Sequence, residues 1–140
     1  MPKSLDLARV LLVDDELASR LTLQTILQAG GYHVDVAASV AEAVSKLDES
    51  EYELVLSEAG MEPPEAGLRV LSYARVKEYK PATALVTAYK GAREARFPKG
   101  DEQRVSINAE DVSTLLGKIA DLIGIRVQRR VNRVLARAAQ

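Results

Sequence analysis

Short runs of β-branched residues and leucine alternate along this chain with longer segments in which apolar residues recur every three or four positions. This alternation is typical of parallel strands that are covered by helices on both faces of a sheet. The predicted strands are Arg9–Val13, Tyr32–Ala37, Glu53–Ser57, Ala82–Val86 and, from a weaker signal, Arg104–Ile107. We therefore expect one α/β domain with five strands.

The helical period of the apolar residues predicts helices in the segments that follow these strands. They are Leu17–Ala29, Ser39 to about Glu49, Gly67–Tyr79, Ala88–Arg96 (interrupted by Phe97-Pro98-Lys99-Gly100) and Ala109–Ile123. Gly30-Gly31 supplies a stop for the first helix, and Ser39-Val40-Ala41-Glu42 has the spacing of a capping box. The side chains predicted to face inward are Leu23, Ile26, Leu27, Val40, Val44, Leu47, Leu68, Leu71, Ala74, Val112, Leu115, Leu116 and Ile119.

Five βα units in this order predict a flavodoxin-like doubly wound parallel sheet with the strand order 2-1-3-4-5. Folds of this class bind their ligands at the carboxyl ends of the strands. Candidate functional residues are therefore those that directly follow each strand.

Composition limits the class of protein. A length of 140 residues suits one domain, and 47% hydrophobic with 28% charged residues is usual for a soluble globular protein. The absence of cysteine excludes disulfides and thiolate metal sites. No apolar run approaches the roughly 18 to 20 residues that span a bilayer, and no signal peptide is evident, so we expect no membrane contact and a cytoplasmic location.

Positive charge is concentrated at the end of the chain. The net charge is −1, yet residues 125–140 hold five arginines and no acid, which leaves −6 for the rest. Apolar spacing continues through Gly124 along Ile119, Ile123, Val127, Val131, Val134 and Ala138. We therefore divide the chain into a domain of residues 1–124 and a basic amphipathic helix or linker of residues 125–140. This segment either packs against a partner or begins a linker, and the sequence leaves both open.

Acidic and hydroxyl side chains follow three of the predicted strands. Asp14 and Asp15 come after the first strand, Glu58 after the third and Thr87 after the fourth. Three carboxylates brought to one sheet edge would repel one another, and Mg²⁺ would relieve that repulsion. The alternative is that Asp14 and Asp15 cap the next helix while Glu58 is a solvated loop acid.

Four segments carry a resemblance to a known family. They are Val10–Glu16, Glu53–Glu58 with Met61, Leu85–Tyr89 and Asn108–Ile119, and their order and spacing resemble the receiver domains of response regulators (CheY-like) over about residues 8 to 123. The resemblance implies that Asp15 would be a direct metal ligand and that Asp14 would hold a metal-bound water. It places Glu58 at the aspartyl nucleophile and Thr87 at the hydroxyl that engages the phosphoryl group.

Three positions depart from the family pattern. Besides Glu58 in place of aspartate, the family lysine falls on Asn108 and the switch aromatic falls on Val105. Glutamate adds about 1.5 Å of reach, which misplaces a nucleophile that must attack in line. Losing the lysine removes a positive charge that stabilises the transferring phosphoryl group. We therefore expect no standard aspartyl phosphorylation, and Mg²⁺ bound weakly or not at all by Asp14, Asp15 and Glu58.

Two explanations of Glu58 stay open. Its charge could imitate a phosphorylated aspartate by approaching Thr87, or the site has lost its chemistry while the scaffold kept its binding surfaces. The missing switch aromatic favours the second explanation.

The resulting hypothesis is an atypical receiver domain of phosphorelay signal transduction that is not an enzyme and acts by protein contact. The expected partners are a kinase or an output domain, with a homodimer through the last helix and tail as a further expectation. One alternative is a Mg²⁺-dependent receiver that still accepts phosphate on Glu58. The other is a nucleic-acid adaptor that uses the tail arginines, although no helix-turn-helix pattern supports it. The single histidine, His33, is expected to be structural.

Overall fold

The computed structural model describes residues 8–87, 104–106 and 112–138. The described strands and helices follow one another in the order β1 (Arg9–Val13), α1 (Leu17–Ala29), β2 (His33–Ala37), α2 (Val40–Glu49), β3 (Leu54–Glu58), α3 (Ala66–Arg75), β4 (Ala82–Thr87), β5 (Arg104–Ser106) and α4 (Val112–Ala138). The strands form one parallel sheet in the order β2-β1-β3-β4-β5. The flavodoxin-like doubly wound fold is thus confirmed.

Apolar side chains cover both faces of this sheet, because successive residues of a strand point to opposite sides. One face packs against α1 and α4, and its buried residues include Val10, Leu12, Leu54, Leu56, Leu23, Leu27, Leu115 and Ile119. The other face packs against α2 and α3, and its buried residues include Leu11, Val13, Val55, Leu85, Leu47, Val70, Leu71 and Ala74. A sheet buried on both sides explains why the strands consist of nearly continuous apolar runs.

Local signals in the sequence determine where α1 ends and where α2 begins. Helix α1 stops because Gly31 takes a positive φ of 100° and the Tyr32 amide donates back to the Leu27 carbonyl. The hydroxyl of Ser39 accepts a hydrogen bond from the Glu42 amide at 3.1 Å, and the Glu42 carboxylate accepts one from the Ala38 amide. The predicted capping box is therefore present, with its glutamate bonded to the residue before the cap.

Helix α3 ends at Arg75, so the prediction that it runs to Tyr79 was wrong. The chain instead makes a turn that ends at Lys80, whose φ is 47°. Because Lys80 precedes Pro81, the proline ring disfavours the α-helical conformation there. The Tyr79 hydroxyl also donates to the Leu47 carbonyl at 2.9 Å, which holds the turn against the end of α2.

Helix α4 is continuous from Val112 to Ala138 and passes through Gly124 without a break. Val112 was predicted to face inward but is 38% exposed, because the helix reaches the sheet only from Leu115 onward. Ile107, Ala109 and the predicted helix at Ala88–Arg96 lie outside the described residues. The proposed boundary between residues 124 and 125 stays a prediction.

One arginine of the basic segment belongs to the body of the protein. Arg126 is only 9% exposed, and its guanidinium donates to the carbonyls of Lys80 at 2.9 Å and Tyr79 at 2.7 Å. This contact attaches α4 to the turn between α3 and β4. In the described part of the chain, no helix combines the length and the hydropathy needed to cross a bilayer.

Candidate functional site

The predicted site residues meet at the carboxyl edge of the sheet. Strand β3 lies between β1 and β4, with Val13 paired to Ser57 and Glu58 paired to Val86. Glu58 and Thr87 are the last residues of β3 and β4. Each of these strands is therefore one residue longer at its carboxyl end than the sequence predicted. The side chains that were expected to converge therefore lie at one rim, as the strand order requires.

Asp14 is the most deeply placed of the acids. Its carboxylate accepts hydrogen bonds from the Ser19 hydroxyl and, at 2.9 Å, from the Glu16 amide. Burial raises the pKa of Asp14 from its usual 3.8, and these two bonds and the neighbouring acids only modify that effect. Each oxygen of the side chain thus already has a protein donor.

Two residues at this rim were missed by sequence reasoning. Ser19 holds the Asp14 carboxylate, and the Arg20 guanidinium donates to the Asp14 carbonyl at 2.8 Å. Both lie in the first turn of α1, five and six positions after Asp14, so the helix turns them back toward the strand end. That short spacing was the available signal.

Asp15 is exposed, and it joins two loops of the rim. Its carboxylate accepts a hydrogen bond from the Glu62 amide at 3.1 Å. The loop after β1 is in this way attached to the loop after β3, although 47 residues separate them. Asp15 therefore has a structural contact besides the ligand role that the resemblance implies.

Glu58 is 5% exposed and directs one carboxylate oxygen back toward its own loop. Its Oε1 accepts a hydrogen bond from the Gly60 amide at 3.0 Å, while the Ala59 amide donates to the Val86 carbonyl of β4 at 2.9 Å. These bonds hold both the side chain and the following backbone at the end of the strand. A buried carboxylate that is engaged in this way is less available as a nucleophile.

The hydroxyl of Thr87 is buried, and among the described residues it has no hydrogen-bond partner. The Thr87 hydroxyl therefore does not donate a hydrogen bond to the Glu58 carboxylate. The hydroxyl of Ser57 is also buried and has no hydrogen-bond partner among the described residues. Thr87 follows Val86, which is the residue of β4 that pairs with Glu58. Glu58 and Thr87 are therefore close in the sheet, as expected, but no hydrogen bond joins their side chains.

The acids that the resemblance assigns to a magnesium ion already accept hydrogen bonds within the protein. Asp14 uses its oxygens on Ser19 and Glu16, and Asp15 uses one on Glu62. Within residues 8–87, 104–106 and 112–138, no three acidic, histidine or cysteine side chains are placed to hold a metal ion together. The ligand set Asp14, Asp15 and Glu58 thus stays a prediction from the resemblance, and no chemical step is derived through a metal.

The remaining predicted positions have different outcomes. Val105 lies in β5 and pairs with Val86, whereas Asn108 and Tyr89 lie outside the described residues. His33 begins β2, at the opposite end of the strands from the rim, where its Nε2 lies 3.5 Å from Asp35. His33 therefore takes no part in the site.

Comparisons with known proteins agree with this geometry. The family model described as response regulator receiver domain matches residues 10–97. A CheY-like receiver domain protein of Methanospirillum hungatei is 25% identical, with a TM-score of 0.71 over 89% of this chain and 99% of that one. The response regulator TrrA of Thermotoga maritima, solved in complex with Mg²⁺-BeF, is 28% identical, with a TM-score of 0.65 over 81% and 97%.

The chemotaxis protein CheY4 of Vibrio cholerae shares the fold, at 24% identity and a TM-score of 0.65 over 82% of this chain and 98% of that one. A search of curated proteins gives no match.

Proposed function

This chain belongs to the response regulator receiver family, and on that premise we propose that it is an atypical receiver domain that works without standard aspartyl phosphorylation. In this proposal it has no catalytic activity of its own and acts in two-component signalling by binding other proteins. The observation that carries the proposal is the state of Glu58, which replaces the acceptor aspartate and is bonded to its own loop.

Two features of Glu58 support an inert acceptor position. The added methylene moves the carboxylate by about 1.5 Å relative to an aspartate, and phosphoryl transfer depends on in-line placement at that scale. The hydrogen bond from the Gly60 amide then holds the carboxylate over the loop. Attack on a phosphodonor through Oε1 would require breaking this bond in a buried position.

The charge balance at the rim also argues against phosphotransfer. A transferring phosphoryl group needs positive charge close to its oxygens, and the sequence has Asn108 where the family has lysine. The guanidinium of Arg20, which lies at this rim, donates to the Asp14 backbone carbonyl. In our proposal it does not replace the missing ammonium.

The lack of a bond between Glu58 and Thr87 bears on how the site is used. A glutamate that imitated a phosphorylated aspartate would be expected to engage the hydroxyl of Thr87, which instead has no partner in the described part of the chain. We therefore favour a site that has lost switching chemistry over one that is held permanently active. Binding surfaces would then carry the function.

We place the partner contacts on the region of β5, the helix that the sequence predicts before it, and α4 with its basic segment. Receiver domains of the family work with kinases or output domains, and these remain the expected partners. In the second half of α4, Val127, Val131, Val134 and Leu135 are exposed and do not belong to the core. A homodimer contact along this helix is part of the proposal.

The test is incubation with Mg²⁺ and acetyl phosphate, followed by intact-mass measurement. We expect no stoichiometric gain of a phosphoryl group. A gain of one group that disappears in Glu58→Gln would contradict the proposal, because it would make Glu58 a working acceptor.

Glu58→Asp is the informative companion variant. It restores the family side chain while leaving Asn108 in place, and we expect it to remain unmodified for lack of the ammonium. If Glu58→Asp gains a phosphoryl group and the parent chain does not, the extra methylene alone blocks the reaction.

A further inference from the structure

A groove of about 690 Å³ lies between the carboxyl ends of α2 and α3. Residues 47–51 form one wall of this α2–α3 groove, and Tyr73 with residues 76–79 forms the other. Arg9, the first residue of β1, also lines it, whereas Val13 ends β1 at the rim. Five residues of strand span about 16 Å, so the groove lies at the opposite end of the sheet from the rim.

Side-chain hydrogen bonds join the two walls of the groove. The Tyr73 hydroxyl and the Lys77 ammonium both donate to the Asp48 carboxylate, at 2.6 Å and 2.7 Å. The Tyr79 hydroxyl donates to the Leu47 carbonyl at 2.9 Å. Both walls are thus fixed before any ligand arrives, which lowers the entropic cost of binding.

The groove holds negative charge that the protein does not pair. Its two cations are already used, since Arg9 lies 3.1 Å from Asp35 and Lys77 lies 2.7 Å from Asp48. The carboxyl ends of α2 and α3 add the partial negative charge of their last carbonyls. Three further carboxylates of the groove are exposed and form no salt bridge within the described part of the chain: Glu49, Glu51 and Glu78.

Apolar and aromatic surface lies beside these acids. Val76 is 70% exposed, more than any other large apolar side chain that the structure describes. The rings of Tyr73 and Tyr79 are partly exposed in the same wall. Burial raises the pKa of Tyr79 to about 12, and the neighbouring Glu51 and Asp48 carboxylates contribute to that rise. The groove therefore combines unpaired carboxylates with apolar contacts at short range.

This combination selects a class of ligand. In the described ranges, no three acidic side chains are close enough to hold one metal ion together, so the carboxylates are spread along the groove. A chain that carries several positive charges can reach all of them, whereas a single ion cannot. Nucleic acids and other polyanions would be repelled. The tyrosine rings suit a guanidinium or an ammonium group, and Val76 suits an apolar side chain.

We propose that the α2–α3 groove binds a basic segment of a partner protein. Arginine or lysine side chains of that segment lie against Glu49, Glu51 and Glu78, and an apolar side chain lies against Val76. The groove is separate from the region of β5 and α4 to which the proposed function assigns its partners. It therefore adds a second contact surface, at the end of the sheet that the acceptor position does not occupy.

The first experiment measures binding of a labelled peptide of alternating arginine and valine to the full chain by fluorescence anisotropy. We expect Glu51→Gln combined with Glu78→Gln to weaken binding about tenfold at low salt, because two charge contacts are lost. Glu65→Gln combined with Asp121→Asn is the matched control. It removes two charges at exposed positions outside the groove and should bind almost as the parent chain does. No binding by the parent chain, or equal losses in both variants, overturns the proposal.

The second experiment tests the place of binding and the apolar contact. During a titration of the full chain with the same peptide, amide NMR shifts should change at residues 47–51 and 76–79. Shifts confined to the rim around Asp15 and Glu62 overturn the inference. Val76→Ser should weaken the peptide but not spermidine, a polyamine without apolar side chains, and an unchanged peptide affinity overturns the apolar contact. None of these results alters the phosphorylation test at Glu58, so the two proposals fail separately.

Discussion

Gly67 lies directly against the backbone of Glu58. A Cβ on Gly67 would come within 2.6 Å of the Glu58 carbonyl oxygen and 3.3 Å of the Ser57 hydroxyl. Only glycine allows α3 to begin this close to the end of β3, and the approach helps to hold the acceptor position at the rim. The glycine is thus part of the scaffold of the site.

Gly67→Ala should destabilise the protein by about 1–3 kcal/mol, because the new methyl group meets backbone, which cannot move aside cheaply. Urea unfolding measures the change. Gly117→Ala is the control, since a Cβ there meets nothing within 4 Å, and it should raise stability by up to ~1 kcal/mol through helix propensity. An unchanged Gly67→Ala would mean that α3 can shift away from β3 at no cost.

Replacing Arg126 with alanine should cost about 2–3 kcal/mol, because the carbonyls of Tyr79 and Lys80 would lose a charged donor in a mostly buried place. Hydrogen exchange should also become faster in the second half of α4. Arg129→Ala, which removes an exposed arginine one turn later, should leave both measurements within error. Equal effects of the two variants would contradict an anchoring role for Arg126.

Asp14→Asn should stabilise the protein near neutral pH. The pKa of Asp14 is raised in the folded state, so its charged form opposes folding, and stability is regained as the pH falls through that raised pKa. Asparagine keeps an acceptor for the Glu16 amide but carries no charge. The advantage in urea midpoint should shrink as the pH is lowered toward about 4. Asp15→Asn, which removes the same charge at an exposed position, should show no such gain.

Tyr52→Phe should produce a loss of stability that depends on pH. Burial alone would raise the pKa of Asp35, but the Tyr52 hydroxyl, which donates at 2.7 Å, and the Arg9 guanidinium outweigh it and lower that pKa below 3.8. A lowered pKa stabilises the folded state above about pH 4, and this stabilisation is lost as the pH falls through the folded value.

The cost of Tyr52→Phe should therefore be about 1 kcal/mol near neutral pH and should decrease in acid. Tyr79→Phe is the matched control, because its hydroxyl donates to the Leu47 carbonyl, which does not titrate in this range. Urea midpoints measured across the acid range for both variants test the difference. Parallel pH profiles would contradict the role assigned to Asp35.

Much of the fold was predictable because its signals are local. The five strands and the bounds of α1 follow from apolar periodicity and from Gly31, and the capping box at Ser39 has a recognisable spacing. The end of α3 was not predicted, because it depends on the left-handed Lys80 and on the contact between Tyr79 and α2. The outward position of Val112 likewise depends on where α4 meets the sheet.

The sequence by itself determined the layered sheet, its strand order and the meeting of Asp14, Asp15, Glu58 and Thr87 at one rim, since parallel strands in a given order must end at the same edge. Only the tertiary structure decided which atoms these side chains contact. Ser19 and Arg20 donate hydrogen bonds to Asp14, and the Gly60 amide donates one to Glu58. Arg126 lies in the basic segment but donates a hydrogen bond to the Lys80 carbonyl in the body of the protein. Such contacts depend on distances between packed elements and on burial, and a one-dimensional pattern of apolar and polar residues carries neither.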